Sequence, residues 1–123
     1  MERTENIKII THKDLQVWQK SMDLVVTIYQ LSAQFPSEEK YGLISQMRRS
    51  AVSIPSNISE GAARNSTKEY IRFLYISLGS LSELETQLMI ANRLNQLNNM
   101  LEEEVTEIRK MLISLIKKLE QKI

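Results

Sequence analysis

Cysteine is absent from this chain, and with it disulfides, thiolate nucleophiles and cysteine-ligated metal centres. Only three glycines and two prolines punctuate 123 residues, which argues against a turn-rich β fold and for long helices with few connections. His12 is the one histidine, so the paired Glu-x-x-His motifs of di-iron bundles cannot be assembled, and no Ser-His-Asp motif accompanies it. There is no glycine-rich phosphate loop. No apolar run approaches the roughly 18 residues that would suggest a membrane span. The opening MERTENIKII is too polar for the core of a signal peptide, which makes a cytoplasmic location the expectation. A formal net charge of +1 gives no bulk electrostatic argument for nucleic acid.

What is present is an ordinary globular composition, 42% apolar and 25% charged, enough to bury one core. The apolar residues step by three and four almost throughout. Residues 1–13 lack a clear period and are read as an N-terminal arm. Residues 14–123 are read as one helical domain, with Thr11 and Asp14 as a start signal.

The first predicted helix, Asp14 to Gln34, carries two apolar stripes. Leu15, Trp18, Met22, Val25 and Tyr29 form the main one, expected to face the core. Val17, Leu24, Ile28, Leu31 and Phe35 form the second, expected, with part of the third helix, to meet another subunit. Phe35-Pro36-Ser37 ends the helix, with Ser37 as the next cap and Glu38 and Glu39 suited to the start of a helix dipole. The second helix, Glu38 to about Gly61, buries Ile44, Met47, Ala51, Ile54 and Ile58. Pro55 is expected to kink it, and Gly61 to end it in a left-handed conformation. Ser66 and Glu69 form a capping box for a third helix, Thr67 to Leu94, with Tyr70, Leu74, Ser77, Leu81, Leu84, Leu88 and Ala91 inward. Gly79, in a small-residue patch with Ser77, Ser80 and Ser82, suggests close approach of another helix. After an Asn-rich connection capped by Asn99, a fourth helix from Met100 to Lys122 presents Leu101, Val105, Ile108, Leu112, Leu115 and Leu119. Four helices with short links predict an all-α, antiparallel up-down-up-down four-helix bundle, left-handed, with crossing angles near about +20°.

The candidate site is a polar stripe on the second helix: Gln46, Arg49, Ser53, Asn57, Glu60 and Arg64. Every member is polar, yet the helical spacing is kept. It fits a solvated face, a hydrogen-bonded layer fixing the register of helices or subunits, or a ligand or nucleic-acid surface. Asn57 and Glu60 are expected to bond other helices or subunits. The middle of the chain is also locally basic: Arg48, Arg49, Arg64, Lys68 and Arg72 stand against Glu60 and Glu69. The later stretch is acidic, with six glutamates from Glu83 to Glu107 against Arg93. Glu83 and Glu85 are two apart and point to different sides of a helix, so they are no catalytic pair. No metal site, cofactor site or catalytic residue is expected.

The stretches HKDLQVWQKSMDLV and FPSEEKYGLISQMRRSAVSIPSNISEGAARNSTKEYIRFLYISLGSLSELETQL resemble the four-helix-bundle family encoded in intervening sequences of bacterial 23S ribosomal RNA genes. They are also similar to the accessory variability proteins of diversity-generating retroelements. QMRRSAVSIPSNISEGAAR is the most specific part, with Ser59 where the motif usually has Ala. The resemblance implies an antiparallel bundle, a homo-oligomer that is pentameric in family members, and no catalytic activity. From the retroelement relatives it implies binding of RNA or DNA, and of a reverse transcriptase, through a basic surface. By position that surface would be Arg48, Arg49, Arg64, Lys68 and Arg72.

Overall fold

The computed structural model describes residues 12–37, 42–95 and 101–123. A 3-10 turn, His12–Asp14, leads into four helices: α1 (Gln16–Ser32), α2 (Leu43–Ala62), α3 (Thr67–Asn95) and α4 (Glu102–Glu120). Among the described residues there is no strand. The helices pack as an all-α four-helix bundle, α1 against α2, α2 against α3, α3 against α4 and α4 against α1, while α1 and α3 lie across the bundle from one another. Trp18 near the start of α1 bonds Ser59 near the end of α2, and Arg48 near the start of α2 bonds Ser32 at the end of α1. These two helices therefore run in opposite senses.

The α3 start matches its signal: the backbone N–H of Glu69 donates to Ser66 Oγ at 3.2 Å. Ser37, expected to cap the second helix, does not: α2 begins at Leu43, preceded by Gly42 and without a side-chain cap bond. The other expected caps involve Thr11, Glu38, Glu39 and Asn99, and these lie outside the described residues, as does nearly all of the arm. Leu15 and Leu101 precede α1 and α4 without a side-chain cap bond.

Helices α2, α3 and α4 bury the expected stripes. Ile44, Met47, Ala51, Ile54 and Ile58 meet Leu74, Leu81, Leu84, Ala91, Val105, Ile108 and Leu112 in one core. Ile116 takes an inner place in α4, with Leu115 and Leu119 only partly buried. Helix α2 continues through the buried Pro55, which has no N–H to offer the Ala51 carbonyl.

Helix α1 reverses the expectation. Its core face is the second stripe, with Val17, Leu24, Ile28 and Phe35 buried and Leu31 half-buried. Met22 and Tyr29 of the supposed main stripe are exposed, while Leu15, Trp18 and Val25 only flank the core. The cause is Ser21 and Ser32. They interrupt the second stripe in the sequence, but both are fully buried, each bonded to a carbonyl of its own helix, Trp18 and Tyr29 respectively. A hydroxyl satisfied in this way can be buried cheaply.

Two glycines also exchange roles. Gly61 lies inside α2, without left-handed backbone, where a Cβ atom would fall 2.8 Å from the Phe73 Cβ and 3.2 Å from the Tyr70 carbonyl oxygen. Close helix approach is thus the property of Gly61. Gly79 is exposed, and a Cβ there would meet nothing within 4 Å.

Candidate polar and basic surface

The polar stripe of α2 divides along its length. Gln46 and Arg49 are exposed. Ser53 and Asn57 are half-buried at the seam with α3. Asn57 Nδ2 donates to the Ser53 carbonyl at 2.8 Å and to Ser53 Oγ at 2.9 Å. Ser53 Oγ in turn shares a 2.8 Å bond with Ser80 Oγ of α3. One turn deeper, Ser77 Oγ donates to the Ile54 carbonyl at 2.9 Å. The interhelical link therefore runs through Ser53 and Ser77. Within the chain Asn57 bonds its own helix and no other. Glu60 does the same: it is exposed and accepts from Arg64 Nη2 at 2.6 Å, four residues along.

The five basic residues fall into two groups. Arg48 lies near the start of α2 and Arg64 two residues past its end, sixteen residues on. Arg48 Nε donates to Ser32 Oγ at 2.8 Å and Nη2 to the Tyr29 carbonyl at 3.3 Å, with Cζ 4.5 Å from the Tyr29 ring centroid. A cation at the C-terminal end of α1 is favoured by the helix dipole, and the ring face adds to it. Arg48 is thus spent on the fold. Its neighbour Arg49 points away, exposed, with no bonded partner among the described residues.

The second group lies at the α2–α3 turn. The guanidinium carbons of Arg64 and Arg72 stand 4.8 and 4.9 Å from the ring centroid of Phe73. Arg72 also pairs with Glu69 at 3.3 Å, and Lys68 is exposed beside them. Arg64, Lys68 and Arg72 against Glu60 and Glu69 leave a local excess of one positive charge. Burial pushes the Tyr70 phenol above its ordinary range at the same end of the bundle.

Three contacts had no signal in the sequence, because they join helices far apart in the chain. Trp18 Nε1 donates to Ser59 Oγ at 3.0 Å, so this serine anchors α1 to α2. Arg109 of α4 pairs with Glu85 of α3 at 2.6 Å, and Lys20 with Glu107 at 3.3 Å. An open groove of about 640 Å³ is lined by Glu85, Glu102, Glu103, Thr106, Glu107 and Lys110, away from the α2 stripe. Among the described residues no group of three or more His, Asp or Glu is placed to hold a metal ion. His12 lies edge-on to Trp18, with ring centroids 5.1 Å apart. No described helix is long and apolar enough to cross a membrane.

The family model of the 23S rRNA-intervening sequence proteins matches residues 13–119, nearly the whole of this bundle. The chain belongs to that family. A solved structure from Bacteroides thetaiotaomicron VPI-5482, described as a protein with unknown function from the S23 ribosomal protein family, is similar to it at 32% identity with a TM-score of 0.75. The similarity covers 82% of this chain and 98% of that one. No curated protein matches the chain. The stretch QMRRSAVSIPSNISEGAAR occupies most of α2 and the start of its following turn, where Ser53 and Gly61 set the close packing on α3.

Proposed function

We propose that the protein is a non-enzymatic, self-associating helical-bundle protein of the 23S rRNA intervening-sequence type, cytoplasmic and pentameric like the family members it resembles. The observation that carries the reading is α1. Its inner face is buried in the core, yet its outer face exposes Met22 at 41%, Val26 at 54% and Tyr29 at 43%. Soluble monomers seldom present such a line of large apolar side chains. Light scattering on the intact chain tests it: a mass several times 14.3 kDa is expected, and a stable 14.3 kDa species at micromolar concentration overturns it.

A second reading, an RNA- or DNA-binding accessory module, is favoured by the gathering of Arg64, Lys68 and Arg72 at the α2–α3 turn. Arg48 contributes least, being bound to α1, while Arg49 remains available farther along α2. An oligomer would repeat the turn around its axis and convert a weak site into a multivalent one. Each phosphate neutralised adds about −0.9 to the salt slope on duplex DNA, or about −0.7 on single strands. A salt titration of labelled RNA with wild type and with Arg64→Glu/Lys68→Glu tests this; equal binding by both removes it.

A further inference from the structure

The seam between α1 and α4 stays open at the surface. A groove of about 350 Å³ is lined by Leu15 and Val17 at the start of α1 and by Met111 and Leu115 of α4, with Lys110 and Lys118 exposed at its edge. Neither lysine pairs with a carboxylate among the described residues. Lys110 also lines the acidic groove with Glu103 and Glu107, so the two grooves meet at it and together follow α4 for most of its length. Glu107 is held by Lys20, whereas the exposed Glu103 has no ion-pair partner among the described residues. Because Glu107 lies beside Lys20, and the later residues of α4 beside Leu15 and Val17, a chain leaving His12 meets Leu115 before Met111.

The chain carries a segment of matching order. Residues 1–11 lie outside the described residues and ahead of the part that the family model matches. They join the bundle at His12, three residues before Leu15. In an extended segment alternate residues share a face, about 6.6 Å apart. One face of residues 3–9 then reads Ile9, Ile7, Glu5, Arg3, and the other, Lys8, Asn6 and Thr4, is polar throughout. Read away from His12, α4 offers Leu115, Met111, Lys110 and Glu103: apolar, apolar, basic, acidic. Leu115 and Met111 are four residues apart, about 6 Å, so they match Ile9 and Ile7 in spacing as well as in kind. The lengths agree too. Ile9 to Arg3 spans about 20 Å when extended, and Leu115 to Glu103 about 18 Å of helix. From His12 to Ile9 the chain reaches about 10 Å, the distance between two packed helix axes.

We infer that residues 3–9 of the same chain occupy this groove as an extended strap along α4. Ile9 packs on Leu115 and Ile7 on Met111, Glu5 pairs with Lys110, and Arg3 pairs with Glu103. The tether to His12 keeps the segment at an effective concentration on the order of millimolar, so a chain's own strap fills the groove ahead of a neighbour's. The inference is independent of whether the protein self-associates.

The chain has no cysteine, so an introduced disulfide reports the contact without background. The full chain carrying Glu5→Cys/Lys110→Cys is oxidised and run on a non-reducing denaturing gel, where an internal bridge migrates ahead of the open chain and a bridge between copies doubles the mass. The internal bridge is expected. Glu5→Cys/Met22→Cys, which places the second thiol on the outer face of α1, is expected to stay open. Adding Ile7→Asp/Ile9→Asp to the first pair removes the apolar anchors and is expected to lower closure about tenfold or more, with helical content by circular dichroism unchanged. An open Glu5–Lys110 pair, bridges between copies, equal closure at Met22, or closure undiminished by the two aspartates overturns the assignment.

Discussion

Gly61 of α2 approaches α3 so closely that a Cβ atom placed on it falls 2.8 Å from the Phe73 Cβ. Neither atom is the free end of a side chain, so relief requires the two helix backbones to separate. Gly61→Ala is therefore expected to destabilise the bundle. Overpacking costs about 1–3 kcal/mol, against which the better helix propensity of Ala returns up to about 1 kcal/mol. Gly79→Ala is expected to do the opposite and stabilise by about 0.5–1 kcal/mol, since nothing lies within 4 Å of its new methyl. Urea unfolding of both variants measures the two effects. Equal signs for the two glycines contradict the assignment.

Arg48 closes the C-terminal end of α1 through Ser32, the Tyr29 carbonyl and the Tyr29 ring. Arg48→Ala is expected to cost about 1–2 kcal/mol, the loss of a charge-assisted bond and a ring contact at a helix end. Arg48→Lys is expected to recover little, because an ammonium cannot bond two acceptors and stack at once. Arg49→Ala, one residue on and exposed, is expected within about 0.5 kcal/mol of wild type. Denaturant midpoints that rank Arg49 at or above Arg48 would refute this.

Four helices and three of their four core faces were legible in the sequence because Ile44 to Ile58, Leu74 to Ala91 and Leu101 to Leu112 keep an unbroken period. The face of α1 was not legible. Trp18 and Tyr29 weigh heavily in any apolar pattern, but a serine that bonds its own helix, as Ser21 and Ser32 do, packs in the core as a small residue. The α2 stripe was legible as a constellation, and its division was not. Whether Ser53 or Glu60 reaches α3 depends on a rotation of a few tens of degrees, which is fixed by tertiary packing such as that of Gly61 on Phe73. The basic residues could be counted from the sequence, but not that Arg48 is folded back onto α1 while Arg64 and Arg72 share one ring.

Ser53, not Glu60, is expected to be the costly position in the α2 stripe. Ser53→Ala removes the bond to Ser80 and one acceptor of Asn57, at about 1–2 kcal/mol. Glu60→Ala breaks an exposed pair four residues apart and is expected to cost about 0.3–0.5 kcal/mol. A double-mutant cycle between Ser53→Ala and Ser80→Ala should show coupling, because the two hydroxyls bond each other. Additive losses would mean that the bond contributes nothing.

Tyr70 gives the bundle an alkaline limit. Its phenol is held above the ordinary range by burial, because the desolvated phenolate is disfavoured. The unfolded chain releases this proton at its usual value, about 10. Between that value and the raised folded one, the unfolded state binds fewer protons than the native state, so stability falls as pH rises. Below pH of about 10 both states keep the proton and the contribution is constant. Tyr70→Phe cannot ionise and should flatten the decline above that point, while leaving the profile near neutrality parallel to wild type. Unfolding midpoints from pH 7 to 11 measure both proteins. A wild-type slope unchanged by Tyr70→Phe would show that this phenol is not what the alkaline transition titrates.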